Sequence, residues 1–189
     1  MLGLNKLKAI FRKMESGTKL KSLELNCFSN YDKKLDLSFV PSITLANAFN
    51  KLETLELCEM KLKPDQLKTI FDNMSVSTKL KAIKLERLNF DSVEMKIFDI
   101  AFSNIIKLNL NGLPLDKVKL KQLAGNLDKS CKLKTLILSD INVKEVSPRL
   151  LARVVTKVSS VDLHSVGLTV DQLEQIFQSI STGSSAIKQ

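Results

Sequence analysis

Apolar residues return at one spacing along most of this chain. From Leu52 they occupy offsets 0, 3, 5, 8 and 10: Leu52, Leu55, Leu57, Met60 and Leu62. The same spacing runs from Leu80 (Ile83, Leu85, Leu88, Phe90), Ile105 (Leu108, Leu110, Leu113, Leu115), Leu133 (Leu136, Leu138, Ile141, Val143) and Val158 (Val161, Leu163, Val166, Leu168). A first unit opens at Leu20, with Leu23 and Leu25. The starts at 20, 52, 80, 105, 133 and 158 are 32, 28, 25, 28 and 25 residues apart, so two unit types alternate. Positions 52 and 105, 80 and 133, and 105 and 158 are each 53 apart, which makes the pair the duplicated element.

Each unit predicts a strand followed by a helix. Period-two alternation over offsets 2 to 6 gives a short strand, with offsets 3 and 5 facing the core and 2, 4 and 6 facing out. Beyond it the period changes to 3.6: Leu67, Ile70, Phe71 and Met74 are matched by Leu173, Ile176, Phe177 and Ile180, and in the fourth unit by Leu120, Leu123 and Leu127. Pro64 suits a first helical turn. Thr169-x-x-Gln172 and Asp91-x-x-Glu94 have the form of capping boxes. Strands stacked in parallel with bulkier helices behind them curve, so the expectation is one α/β solenoid domain over 1–189, a right-handed horseshoe arc with concave strands and convex helices.

The ends and one irregular unit add detail. Leu7, Ile10, Phe11, Met14, Thr18 and Leu20 match Leu67, Ile70, Phe71, Met74, Thr78 and Leu80 at a constant offset of 60. Residues 1–19 are therefore a helical half-repeat, placed either to cover the core edge of the first strand or as the cut end of a longer array. The chain closes with a helix near 170–181 and then Ser184-Ser-Ala-Ile187, which resembles a strand start. The first unit carries seven extra residues, 27–33, with the only Tyr of the chain, Tyr31, on the expected rim of the concave face.

The L-x-x-L-x-L cores, long helices and paired 25- and 28-residue units resemble leucine-rich repeats of the ribonuclease-inhibitor type. Within that class, Leu57-Cys-Glu-Met-Lys-Leu-Lys-Pro-Asp-Gln-Leu67 and Leu163-His-Ser-Val-Gly-Leu-Thr-Val-Asp-Gln-Leu173 are similar to the C-terminal arrays of animal NOD-like receptors. The resemblance spans the whole chain and implies ligand sensing or regulation in innate immunity, although nothing here matches a nucleotide-binding or effector domain. One departure stands out. Offset 8, usually Asn or Cys, is apolar throughout (Leu35 by alignment, Met60, Leu88, Leu113, Ile141, Val166), which predicts an arc without an asparagine ladder that relies more on packing.

Charge narrows the choice of partner. The chain holds 29 basic and 20 acidic residues, formally +9. The expected concave set is Ser22, Thr54, Ala82, Lys107, Thr135 and Ser160 at offset 2; Glu24, Glu56, Lys84, Asn109, Ile137 and Asp162 at offset 4; and Asn26, Cys58, Glu86, Asn111, Ser139 and His164 at offset 6. It has four acids and two lysines, so the basic excess is expected on helices, loops and ends. A nucleic-acid groove concentrates Lys and Arg with stacking aromatics; this face does neither, which argues against nucleic acid.

Candidate chemistry is thin. His164, the only histidine, stands two residues from Asp162 on one face, a pair that could orient an imidazole or simply be exposed polar residues. Cys58 is expected to be exposed, near Cys27 on the neighbouring strand; Cys131 reads as a small buried hydrophobe. No phosphate-binding glycine motif and no four-ligand metal set is present. We therefore expect no enzyme, cofactor or metal. No secretory leader or membrane span is visible, and three cysteines in no paired spacing point to a reducing, cytoplasmic compartment. The expectation is a protein-protein interaction module, monomeric or weakly homo-oligomeric, with no membrane partner. Its candidate contacts are Glu24, Tyr31, Glu56, Lys84, Glu86, Lys107, Asn109, Ile137, Asp162 and His164. The alternative is a structural scaffold or self-associating repeat protein pairing through its ends.

Overall fold

The computed structural model describes residues 4–26, 35–76, 79–90, 93–94, 102–129 and 132–185. Strands β1 (Ser22–Leu25), β2 (Thr54–Cys58), β3 (Ala82–Glu86), β4 (Lys107–Asn109), β5 (Thr135–Ile137) and β6 (Ser160–Asp162) make one sheet in chain order. Every adjacent pair is parallel. A sheet ordered in this way comes from repeated crossovers, each returning beside the strand before it, so the protein is an α/β solenoid. The described helices are α1 (Leu4–Ser16), α2 (Ser42–Phe49), α3 (Pro64–Val76), α4 (Lys117–Lys129), α5 (Pro148–Lys157) and α6 (Val170–Ser185).

The apolar spacing does the work expected of it. Offsets 3 and 5 of the four middle strands (Leu55, Leu57, Ile83, Leu85, Leu108, Leu110, Leu136, Leu138) are buried between sheet and helices. The offset-8 residues Met60, Leu88, Leu113, Ile141 and Val166 are buried too, so the apolar substitute for asparagine packs into the core. Full burial of one such side chain is worth about 1.5–3 kcal/mol, which sets the scale of each layer. Phe71 packs its ring 6.1 Å from Phe90 and 6.4 Å from Phe102.

Backbone carbonyls further along the unit are tied by side chains from the helix of the next unit. Gln66, at the start of α3, donates to the carbonyls of Leu37 (2.8 Å) and Val40 (2.7 Å), and its Oε1 accepts from Lys63 N–H (2.7 Å). Gln172 repeats this on Val143 and Val146, both at 2.8 Å, and closes a reciprocal capping box with Thr169. Both glutamines are buried. Midway between them, Lys119 takes the same place and donates to Phe90 O at 2.7 Å. This polar clamp recurs every 53 residues and ties each of these helices to the turn of the preceding unit.

A second device recurs once per unit. Offset 7 of the second to sixth units, just past the strand, has left-handed backbone: Glu59 (φ 51), Arg87 (φ 49), Gly112 (φ 60), Asp140 (φ 58) and Ser165 (φ 56). Only Gly112 adopts that conformation without strain. Glu59 and Arg87, neighbours in two such turns, form an ion pair.

The end layers are incompletely covered. The α1 helix buries Leu7, Phe11 and Met14 and sets Phe11 edge-on to Phe49 of α2 at 5.8 Å. It packs on α2 and leaves β1 half-open: Leu23 and Leu25 are only half-buried, and Leu20 is 41% exposed. At the other end Leu173, Phe177 and Ile180 are 38%, 64% and 51% exposed, where their counterparts Leu67, Phe71 and Met74 are buried. The physical reason is one of layers: α3 lies between two units, whereas among the described residues nothing follows α6. That helix also runs through Ser184 and Ser185, residues expected to open a strand; the rest of that segment, 186–189, lies outside the described residues.

Candidate binding face

Strand pairing puts the expected outward residues in register. Ser22, Thr54, Ala82, Lys107, Thr135 and Ser160 stand side by side across the sheet, as do Glu24, Glu56, Lys84, Asn109, Ile137 and Asp162. The offset-6 row continues from Cys58 opposite Glu86 through backbone bonds just beyond it: Arg87 N–H to Asn111 O at 3.3 Å, Gly112 N–H to Ser139 O at 2.9 Å and Asp140 N–H to His164 O at 3.0 Å. Neighbouring strands lie about 4.8 Å apart, so each row is a continuous line of side chains.

The centre of the face is polar and internally bonded. Lys84 Nζ meets Glu86 at 2.8 Å, with both side chains largely shielded. The hydrogen bond to Glu86 holds the Lys84 ammonium above its ordinary range. Glu86 also accepts from Asn111 Nδ2 at 3.3 Å. The opposite atom of that amide, Asn111 Oδ1, and the neighbouring Ser139 Oγ are buried without a protein partner among the described residues. Buried polar atoms are rarely left so, and a bound water or a partner group would satisfy both.

Towards β1 the face turns acidic. Glu24 stands directly opposite Glu56. Like charges directly opposite each other on a sheet are destabilising. Glu24 accepts from Asn26, two residues on, and neither carboxylate forms an ion pair among the described residues, although Lys84 stands directly opposite Glu56 on its other side and interacts with it electrostatically.

One expected feature is corrected, and one open alternative is decided. Cys58 is not exposed; it is buried, at 5% exposure. Burial pushes its thiol up to about 11, and Lys84, close enough to hydrogen-bond it, lowers it only in part. The offset-6 position faces outward, but in this unit long side chains of the next strand lie over the small one. Nor is there a His–Asp pair: the Asp162 carboxylate accepts the His164 backbone N–H at 2.9 Å. Asn109 makes the same bond to Asn111 N–H, 53 residues earlier, at 3.0 Å. Asp162 therefore shapes the end of its strand, while His164 is exposed. The insertion 27–33 with Tyr31, together with Cys27, Cys131 and Asp91 of one proposed capping box, lies outside the described residues.

Sequence reasoning missed the polar clamp, although Gln66 and Gln172 stand at matching places in the two segments that carry the family resemblance. It also missed the left-handed turns, because glycine marks just one of them. Among the described residues no three His, Cys, Asp or Glu side chains converge as metal ligands, and no helix is long and apolar enough to cross a membrane.

No family profile matches this chain, and no curated protein does. Among solved structures, the tropomodulin C-terminal domain from Caenorhabditis elegans is similar at a TM-score of 0.48 with 8% identity, covering 99% of this chain and 96% of that one.

Proposed function

We propose that the chain is a non-enzymatic module that binds a protein partner across its concave strand face. The observation that carries this reading is the in-register acidic pair Glu24 and Glu56, neither of which forms an ion pair among the described residues, although Lys84, itself paired with Glu86, stands opposite Glu56 on its far side. That arrangement costs stability in the free protein and is relieved by a cationic group on a partner. Lys84, Glu86, Lys107, Asn109, Ile137, Asp162 and His164 extend the surface, and Tyr31 belongs to it if its loop reaches the rim. The non-enzymatic part is supported by where the reactive groups go: Cys58 is covered, and Asp162 is engaged with backbone. Innate-immune sensing is what the NOD-like receptor resemblance adds, and a cytoplasmic location is what the cysteine usage adds. In an affinity capture quantified by mass spectrometry, E24K/E56K should release the proteins that wild type retains. Equal capture by both forms would sink the concave site.

Self-association is a second reading, favoured by the exposed Leu173, Phe177 and Ile180 of α6. Light scattering over a concentration series should then give a rising mass that Phe177→Asp abolishes. A constant monomer mass in the wild type would dismiss it.

A further inference from the structure

The described helices hold twelve basic and six acidic residues, and a second concentration of basic charge lies on the rim of the sheet where the strands begin. At offset 1, Lys21, Glu53, Lys81, Ile106, Lys134 and Ser159 form one line, joined strand to strand by backbone bonds of 2.7–2.9 Å. At offset −1, two residues upstream in each unit, stand Lys19, Lys51, Lys79, Asn104, Lys132 and Lys157. These twelve positions hold eight lysines and one acid, so they supply +7 of the formal +9. All eight lysines are exposed. The mirror positions where strands end, offsets 7 and 9 of the second to sixth units, hold two basic and two acidic residues and are neutral. One flank of the arc is therefore charged and the other is not. Five strand steps of about 4.8 Å make the charged flank about 24 Å long.

We propose that this leading rim docks the protein edge-on to an anionic lipid surface. The chemistry of the row selects that partner. It contains no arginine, so it has no planar fork for one phosphate or carboxylate, only flexible ammonium points. It contains no aromatic platform on which bases could stack. Its lysines are interrupted by Glu53, Asn104 and Ser159, so they match no fixed repeat of charge; a fluid array of headgroups can rearrange to meet them. An exposed apolar side chain, Ile106 at 38%, lies in the same line, and beside that line Leu20, a core-row residue bared at the open first layer, is 41% exposed. Next to phosphates alone they gain nothing, but at a lipid interface they add burial. The contact is peripheral, needs no spanning helix, and revises the expectation of no membrane partner. It leaves the concave face open.

The full chain should sediment with vesicles of equal parts phosphatidylserine and phosphatidylcholine, not with phosphatidylcholine alone, and release as salt rises. K79Q/K81Q/K132Q/K134Q should weaken binding by two to three orders of magnitude, at roughly fivefold per lysine. The charge-preserving set K79R/K81R/K132R/K134R should retain it. K61Q/K63Q/K117Q/K144Q removes the same charge elsewhere and should bind within severalfold of wild type. Circular dichroism melts confirm that each variant is folded. Equal loss in both glutamine sets would reduce the effect to net charge and overturn the rim. Failure of wild type to bind acidic vesicles would overturn the lipid proposal, and DNA binding lost in the first set alone would reassign the rim to nucleic acid.

Discussion

Replacing Gln66 with Ala should cost this small arc about 3 kcal/mol, although Gln66 lies in no ion pair and far from either end. The figure follows from three hydrogen bonds. Val40 O receives its bond from Gln66 Nε2 at 2.7 Å and has no other donor among the described residues. Orphaning a buried carbonyl costs about 1–3 kcal/mol. Leu37 O keeps Val40 N–H at 2.9 Å, so losing Gln66 there costs less, about 1 kcal/mol. Lys63 N–H loses its acceptor near the surface, where water replaces it. Urea denaturation followed by circular dichroism measures the change through its midpoint. For a chain of this size about 3 kcal/mol corresponds to roughly 6–12 °C in melting temperature. Gln66→Leu separates polarity from packing. It refills most of the volume but offers no donor, so it should recover less than half of the loss. If the Leu variant melts with wild type, the buried carbonyls did not need the clamp and the reasoning is wrong.

Gly112→Ala should destabilise by about 1–2 kcal/mol, because a Cβ there meets left-handed backbone and Arg87 Cγ at 3.1 Å; an unchanged urea midpoint would show that the turn relaxes freely. Cys58, with its thiol pushed up to about 11 from an ordinary 9.0, should alkylate at pH 8 about a hundredfold more slowly than in the urea-unfolded chain, read peptide by peptide in a mass spectrometer. Comparable native and unfolded rates would place the thiol in solvent. Asp128 is held below its ordinary 3.8, mainly by hydrogen bonding from Lys157 and also by Arg153. A lowered carboxylate stabilises the fold above 3.8 and stops doing so as pH falls through its folded value. Asp128→Asn should therefore flatten the acid limb of the melting profile, and an unaltered limb would mean that other carboxylates set it.

The fold was legible because the offsets that carry it are apolar in every unit. Leu52, Leu55, Leu57, Met60 and their counterparts announce a strand with its turn, and Leu67, Ile70 and Phe71 announce the helix behind it. Strand register follows from that repetition, so the facing of Glu24 on Glu56 and of Lys107 on Thr135 could be read in advance. What could not be read depends on neighbours in three dimensions. Cys58 has an outward offset, but its exposure is decided by how far Lys84 and Glu86 lean from the next strand. Asp162 has two plausible partners two residues away, the His164 ring and the His164 N–H, and spacing does not choose between them. The left-handed residues Glu59, Arg87, Asp140 and Ser165 carry no glycine to mark them. The clamp was half visible: Gln66 and Gln172 match, but Lys119 in the same role breaks the pattern by residue type.

The leading rim raises a question of stability as well as of binding. Lysines at neighbouring positions repel, and Lys19, Lys51 and Lys79 fall in three successive units at the same offset. The structure places relief at intervals. Glu53 stands between Lys21 at 3.1 Å and Lys81 at 4.0 Å, Asn104 accepts from Lys132 at 2.6 Å, and Asp128 pairs with Lys157 at 2.8 Å. The exposed pairs of Glu53 are worth little individually, about 0–1 kcal/mol, so repulsion among eight lysines is offset only in part. Salt screens what remains, since the Debye length falls from about 30 Å at 0.01 M to about 8 Å at 0.15 M. The melting temperature should therefore rise as salt is added at low ionic strength. K79Q/K81Q/K132Q/K134Q should melt above wild type in dilute buffer, with the gap closing as salt rises. A variant that melts lower at every salt concentration would mean that these lysines stabilise the array through their pairs; the rim would then be scaffold, and its charge would need no partner to explain it.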